Sequence, residues 1–128
     1  MGQSHSSQLT SRKGFDTPID YAEKLYTLNS KDRVLLSFLS PYCTLCTSLR
    51  GELDKVKKER EDLKVVEIDS LNRDDWAPEL IRYNIEKVPC FVLLNSRGRA
   101  IGKTEDPINA DFVRNALHAL ITEKRKIV

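Results

Sequence analysis

The sequence contains little cysteine, glycine or proline, with only 3, 5 and 5 of these residues among 128. Three cysteines are too few, and too odd in number, for the disulfide framework of a small secreted protein. The formal net charge of +2 gives no reason to expect nucleic acid as a partner. No apolar run approaches the roughly eighteen residues of a membrane-spanning helix, and no signal-peptide pattern opens the chain. One closely spaced pair of cysteines and a third, separate thiol favour an intracellular, reducing compartment instead.

The length and composition are those of one ordinary globular domain. Hydrophobic residues make up 40% of the chain and charged residues 31%, and this length suffices to bury a single core without disulfide bonds. We expect a polar, serine-rich and disordered tail over residues 1–15. A folded domain over residues 16–122 and a short basic tail over residues 123–128 should follow.

The first six residues match a lipidation pattern. They read M-G-Q-S-H-S, which fits the M-G-x-x-x-[ST] acceptor for N-myristoylation at Gly2. Two other interpretations stay open, namely an artificial start and the end of an organelle transit segment that contains Arg12 and Lys13. A membrane is expected as a partner only if Gly2 is acylated.

The spacing of apolar residues predicts alternating helices and strands. Short, nearly continuous apolar runs are typical of buried strands, and apolar residues three or four positions apart are typical of helices. The predicted order is αβαβαββα, with helices at 17–29, 43–61, 74–83 and 109–121 and strands at 33–39, 63–68, 90–94 and 99–104. The last two strands flank a turn at 95–98 and should form an antiparallel hairpin. The expected fold class is therefore α/β, a central mixed sheet with helices on both faces.

Local sequence features refine the ends and faces of these helices. Asp74 or Asp75 should cap the third helix, because aspartate accepts hydrogen bonds from the first free N–H groups of a helix. Asn109 or Asp111 should open the last helix, and Phe112 should face the core from it. The charged residues of 55–61 are expected on a solvent-facing surface.

The segment Cys43-Thr44-Leu45-Cys46 joins a buried strand to a helix. Free N–H groups at the start of a helix favour a thiolate at Cys43, and Cys46 lies about one turn further along the same face. Cys43 is then the attacking nucleophile and Cys46 the resolving thiol that closes the disulfide. A pair of buried structural cysteines, or half of a zinc site, are the alternatives.

These features together resemble the thioredoxin superfamily over residues 16–122. The matching motifs are an aromatic-Cys-x-x-Cys sequence at Tyr42 to Cys46 and an X-Pro pair at Val88-Pro89, which corresponds to the family's cis-proline. The resemblance implies a thioredoxin fold and a thiol–disulfide oxidoreductase without metal or organic cofactor. It implies that Tyr42, Val88 and Pro89 contact client proteins that carry disulfides, and that electrons arrive from an upstream reductase or another thioredoxin. Gly51 occupies the place of the proline that kinks the family's second helix.

The sequence departs from that family at several positions. Thr44-Leu45 replaces Gly-Pro, Ser37 stands where a buried aspartate is usual, and Glu67 stands where a lysine is usual. We expect Glu67 to point toward Cys46 and accept its proton, with Ser37 as hydrogen-bond partner, and an outward-pointing Glu67 is the alternative.

Two residues outside the dithiol segment bear on the chain's regulation and its relatives. Cys90, directly after Pro89, is either a packed strand residue or a regulatory third thiol. The surroundings of Trp76 resemble plant and cyanobacterial thylakoid thioredoxin-like proteins.

Three functional interpretations follow from these residues. The first is a disulfide reductase in the cytosol or in a plastid or other organelle. The second is a thioredoxin-like binding or assembly module with little turnover, and retention of both cysteines argues against it. The third is a zinc site, which would need four ligands from residues such as His5, His118 and Cys90.

Overall fold

A computed structural model describes residues 33–122 of the chain. The predicted tails at 1–15 and 123–128 and the predicted helix at 17–29 lie outside the described residues. The described elements, in chain order, are β1 (Arg33–Leu39), α1 (Thr44–Ser48), α2 (Arg50–Glu59), β2 (Leu63–Asp69), α3 (Arg73–Arg82), β3 (Cys90–Leu94), β4 (Ala100–Lys103) and α4 (Ala110–Thr122).

The four strands form one mixed sheet in the order β2-β1-β3-β4. β1 runs parallel to β2 and antiparallel to β3, and β3 and β4 form the predicted antiparallel hairpin. The side chain of Asn95 shapes the hairpin turn, since its Oδ1 accepts hydrogen bonds from the N–H groups of Arg97 (2.7 Å) and Arg99 (3.1 Å). Gly98 adopts a φ of 84° there, which glycine allows without a steric penalty. The mixed sheet of the sequence prediction is confirmed.

The sheet carries helices on both faces, because successive side chains of a strand point to opposite sides. Val34, Leu36 and Phe38 of β1 pack in one core cluster with Trp76 of α3. The alternate residues Leu35 and Leu39 pack in a second cluster with apolar side chains of α1, α2 and α4, namely Cys46, Leu49, Leu53, Val56, Val113, Leu117 and Ile121. β1 is buried on both faces, which explains its nearly continuous apolar sequence.

The single helix predicted at 43–61 is two helices. The interruption lies at Leu49, whose φ of −98° and ψ of −1° differ from helical values and whose N–H bonds to the carbonyl of Cys46 at 3.1 Å. Such an i to i−3 bond tightens the end of a helix. Leu49 is fully buried, so packing holds this interruption two residues before Gly51, the position at which the sequence resemblance indicated a bend.

Two smaller predictions about the helices were wrong. Asn72, not Asp74 or Asp75, caps α3, and its Oδ1 accepts a hydrogen bond from the N–H of Asp75 at 3.3 Å. Phe112 is exposed rather than directed into the core. Its neighbour Val113 begins the buried i, i+4 row of α4, and Phe112 lies beside that row.

Candidate active site

Cys43 is the N-cap residue of α1, and its sulfur is held by the first turn of that helix. Its backbone is extended, and Sγ accepts a hydrogen bond from the N–H of Cys46 at 3.0 Å. The preceding loop is fixed by Ser40, whose carbonyl accepts from the N–H of Cys43 at 3.2 Å and whose Oγ accepts from the N–H of Tyr42 at 3.2 Å. α1 is only five residues long, and the direct N–H···S bond from Cys46 fixes the position of this sulfur at the start of the helix.

Cys46 lies one turn further along α1 and differs from Cys43 in its surroundings. Cys43 is half-buried, whereas Cys46 has no exposed surface. Burial and a hydrogen bond to the sulfur of Cys43 raise the pKa of Cys46 to about 12, and the positive charge of Arg50 acts in the opposite direction. Both cysteines are free thiols. The outer sulfur is thus the one that a second protein reaches first, and the inner one stays protonated in the reduced pair.

The loop before β3 brings two of the predicted client-contact residues, Val88 and Pro89, to Cys43. The Val88–Pro89 peptide bond is cis, and the carbonyl oxygen of Val88 lies 3.8 Å from Sγ of Cys43. Tyr42 directly precedes Cys43 in the sequence and is 86% exposed. The structure therefore places the carbonyl of Val88, and with it the cis bond to Pro89, beside the half-buried sulfur of Cys43.

The side chain of Glu67 points into the protein. The alternative expectation, that it points outward to solvent, is wrong. It pairs with Ser37 in the register of β2 and β1 and is only 6% exposed. Its two carboxylate oxygens are held by Nη1 of Arg50 (3.2 Å) and Nζ of Lys57 (2.7 Å), both on α2. Ser37 Oγ has no hydrogen-bond partner among the described residues, so the expected bond between Ser37 and Glu67 is not formed. The role of Glu67 as proton acceptor stays a prediction.

The two cations that hold Glu67 were not predicted from the sequence. Lys57 was expected on a solvent-facing surface, and its side chain is 44% exposed, yet its ammonium group reaches the buried carboxylate. The sequence does contain a pattern that indicates this pair of cations. Arg50 and Lys57 are seven residues apart, and residues at that spacing share one face of a helix. A buried acid in the adjacent strand needs such partners.

Cys90 lies on the other face of the sheet from Cys46. It packs in the cluster that contains Trp76, is 5% exposed, and its sulfur lies 3.9 Å from the carbonyl oxygen of Thr104. Burial raises the pKa of the Cys90 thiol, which lowers the fraction present as reactive thiolate. These observations fit the interpretation of Cys90 as a residue packed within the strand. A regulatory role for its thiol stays a prediction.

The described part of the chain offers no cluster of metal ligands. Between residues 33 and 122, no three histidine, cysteine, aspartate or glutamate side chains come together in a way that could hold a metal ion. His118 pairs instead with Glu52 across α4 and α2, and His5 lies outside the described residues. None of the helices within 33–122 has both the length and the apolar character needed to cross a bilayer.

The sequence is similar to those of thioredoxin-like proteins from a cyanobacterium and a plant. The thiol:disulfide interchange protein TxlA of Synechococcus elongatus is 28% identical over 88 residues, which cover 69% of this chain and 46% of that protein. The chloroplastic thioredoxin-like protein HCF164 of Arabidopsis thaliana is 20% identical over 100 residues, which cover 78% of this chain and 38% of that protein. Both come from the plant and cyanobacterial group that the sequence resemblance indicated. The matched part spans less than half the length of these relatives.

Solved structures share the fold at low sequence identity. Thioredoxin from Fasciola hepatica is 19% identical with a TM-score of 0.60, over 75% of this chain and 88% of that one. Mitochondrial thioredoxin 3 from Saccharomyces cerevisiae is 23% identical with a TM-score of 0.60, over 77% and 86% of the two chains. A sequence model of the family described as Thioredoxin matches residues 15–119. Since that match covers most of the sequence, this chain belongs to the thioredoxin family.

Proposed function

We propose that this chain is a protein thiol–disulfide oxidoreductase that reduces or exchanges disulfides in client proteins. The observation that carries the proposal is the unequal pair of sulfurs, with Cys43 half-buried under a backbone N–H and Cys46 fully buried one turn away. Such a pair supplies one accessible nucleophile and one intramolecular resolving thiol. The names of the cyanobacterial relatives, thiol:disulfide interchange proteins, support it.

The reaction proceeds by two exchanges at sulfur. In the first, the thiolate of Cys43 attacks one sulfur of a client disulfide, a Cys43–client bond forms, and the other client sulfur leaves as a thiolate. In the second, the thiolate of Cys46 attacks the sulfur of Cys43 and displaces the second client thiolate. The client disulfide gains two electrons and two protons, and the Cys43–Cys46 pair is oxidised to a disulfide. This chemistry needs no metal or organic cofactor.

The environment of Cys46 separates the two steps in time. In the reduced pair, burial and the hydrogen bond to Cys43 keep the pKa of Cys46 near 12. Once Cys43 is in a mixed disulfide, its sulfur carries no negative charge, so both the hydrogen bond and the repulsion that raise this pKa are weakened. The pKa of Cys46 is therefore lower after the client is attached than before, while burial, the largest cause of its increase, remains.

The client contacts and partners extend the same proposal. An extended client segment would lie on Tyr42, Val88 and Pro89, and the carbonyl of Val88 beside the sulfur of Cys43 and the exposed ring of Tyr42 support this. Electrons would come from an upstream reductase or another thioredoxin. The chloroplastic and cyanobacterial origins of the relatives support an organelle or other reducing compartment. We assign the activity to a single domain over residues 16–122, between the two tails.

A trapping experiment tests this function. With insulin as client, Cys46→Ser should accumulate a mixed disulfide on Cys43, because the first exchange is intact and the second is lost. Mass spectrometry of the non-reduced, digested complex locates the linkage. Cys43→Ser is the matched control and should form no adduct. Equal adducts in both variants, or an adduct on Cys90, would contradict the proposal and favour a binding module.

A further inference from the structure

We propose, building on the proposed function, that a negatively charged cavity beside the cis-proline loop favours clients with a lysine or arginine close to the reacting disulfide. Glu86 and Glu105 are the residues that give the cavity this preference. A client segment with acidic residues at the same place would react at the same sulfur of Cys43, but more slowly.

The cavity lies between the loop before β3 on one side and the end of β4 with its following loop on the other. It has a volume of about 160 Å³, and the charged residues that line it are Glu86, Lys87, Lys103, Glu105 and Asp106. Nζ of Lys87 and Oδ2 of Asp106 form an ion pair of 3.5 Å that joins the two loops. All five charged residues are exposed to solvent, so a second protein can reach them.

This cavity adjoins the reactive sulfur. Lys87 directly precedes Val88, whose carbonyl oxygen lies 3.8 Å from Sγ of Cys43. Cys90, which also lines the cavity, pairs with Phe38 one residue before the end of β1, so the cavity and the dithiol lie at the same end of the sheet. An extended chain advances about 3.3 Å per residue. A client side chain two positions from the reacting cysteine is therefore within reach of the cavity.

The ammonium group of Lys103 is engaged by the backbone at the end of α3. It donates hydrogen bonds to the carbonyls of Tyr83 (2.9 Å) and Asn84 (3.1 Å). The last carbonyls of a helix carry partial negative charge, which a lysine near them compensates. These carbonyls, and not a carboxylate of the cavity, are the acceptors of its hydrogen bonds.

Negative charge is therefore in excess in the cavity. Three carboxylates but only two ammonium groups line it, and Lys87 and Asp106 pair with each other. Within residues 33–122, neither Glu86 nor Glu105 takes part in an ion pair. The whole chain carries a formal net charge of +2, so the sign of this local charge is opposite to that of the chain. A cationic side chain is the partner whose charge complements the cavity.

The expected preference is moderate and depends on salt. Solvent-exposed ion pairs contribute little free energy, and complementary charge acts mainly on the rate of encounter. Dissolved salt screens exposed charges at separations beyond roughly 10 Å at 0.1 M. We therefore expect a preference of several-fold at low ionic strength, which declines as salt is added.

Three matched peptide disulfides test the inference with the reduced full chain. Each consists of two identical short peptides joined through their single cysteines, with lysine, glutamine or glutamate at the second position on either side of that cysteine. Cys43 attacks one sulfur and the other peptide leaves as a thiolate, so free peptide, measured by chromatography after acid quenching, reports the rate. The lysine peptide should react about fivefold faster than the glutamate peptide at low ionic strength.

A Glu86→Gln, Glu105→Gln double variant should reduce this ratio to less than about twofold, because it removes the unpaired carboxylates. The matched control is a Glu59→Gln, Glu61→Gln double variant, which removes the same charge at exposed positions shortly before β2. Because β2 runs parallel to β1, these positions lie at the end of the sheet away from the dithiol, and the control should keep the wild-type ratio. Each ratio is taken within one variant, so a general change in reactivity cancels.

Equal rates for the lysine and glutamate peptides with the wild-type chain would overturn the inference. An unchanged ratio in the Glu86→Gln, Glu105→Gln variant, or an equal loss of the ratio in the Glu59→Gln, Glu61→Gln variant, would also overturn it. A wild-type chain that reduces none of the three peptides would instead contradict the proposed function itself.

Discussion

Replacing Cys43 by serine should reduce the rate of insulin reduction on the order of a thousandfold or more, as loss of a catalytic nucleophile does in other enzymes. Serine keeps the size of the side chain but lacks an ionisable thiol. Cys46 cannot take over the attack because it is fully buried and its pKa is raised to about 12. Turbidity of reduced insulin, with a chemical reductant to recycle the protein, measures the effect.

Cys90→Ser is the matched cysteine replacement for that experiment. Cys90 lies on the opposite face of the sheet and packs in the cluster with Trp76, so this variant should retain the rate of insulin reduction. The reverse pattern, with activity kept in Cys43→Ser and lost in Cys90→Ser, would show that the wrong thiol has been identified as the nucleophile.

Replacing Trp76 by alanine should lower the free energy of unfolding by about 3–5 kcal/mol, the usual cost of deleting a large buried aromatic side chain. Trp76 has no exposed surface and fills the space between α3 and the sheet, beside Phe38, Ile68 and Leu80. Domains of this size are stable by only about 5–15 kcal/mol. The substitution should therefore remove a large share of the total stability, measured as the shift of the midpoint in urea unfolding.

Trp76→Phe is the control for the size of the cavity. A phenyl ring fills much of the indole volume, so this variant should be destabilised by clearly less than Trp76→Ala. If both variants unfolded at the wild-type urea concentration, Trp76 would not contribute to the core as the structure describes.

The strands and the dithiol could be predicted because their signals are local. The apolar run of β1 and the Cys-x-x-Cys segment after it are contiguous in sequence, and a strand followed by a helix has few alternative geometries. The start of β3 at Cys90 coincides with its prediction, since Pro89 directly precedes a run of buried apolar residues. A family resemblance then joined Val88-Pro89 to the distant dithiol, which no local pattern shows.

The details that sequence reasoning missed depend on choices made in the folded structure. Asn72, Asp74 and Asp75 are all good helix-capping residues, so propensity alone did not identify Asn72 as the cap. The interruption at Leu49 depends on burying that side chain, and leucine itself is a strong helix former. Tertiary packing overrode local preference at Leu49, whereas at the start of α3 local preference left three candidates open.

The partners of Glu67 were missed for a different reason. Arg50 lies 17 residues away in sequence, and long, flexible side chains on a helix allow many pairings that sequence does not distinguish. The charges of α2 looked like an ordinary solvent-facing surface, and most of them are. Only the inward orientation of Glu67 shows which two of them are engaged.

Equilibration of the full chain in glutathione buffers of graded potential tests whether Cys43 and Cys46 form one redox-active pair. Free thiols are alkylated, and mass spectrometry of the peptide that contains Cys43 and Cys46 shows whether these residues are thiols or a disulfide. We predict one disulfide within that peptide, formed in a two-electron transition in which the ratio of oxidised to reduced protein changes tenfold for about 30 mV. Cys90 should remain a thiol. Two cysteines that stay reduced across the series, or that each carry glutathione independently, would contradict this prediction.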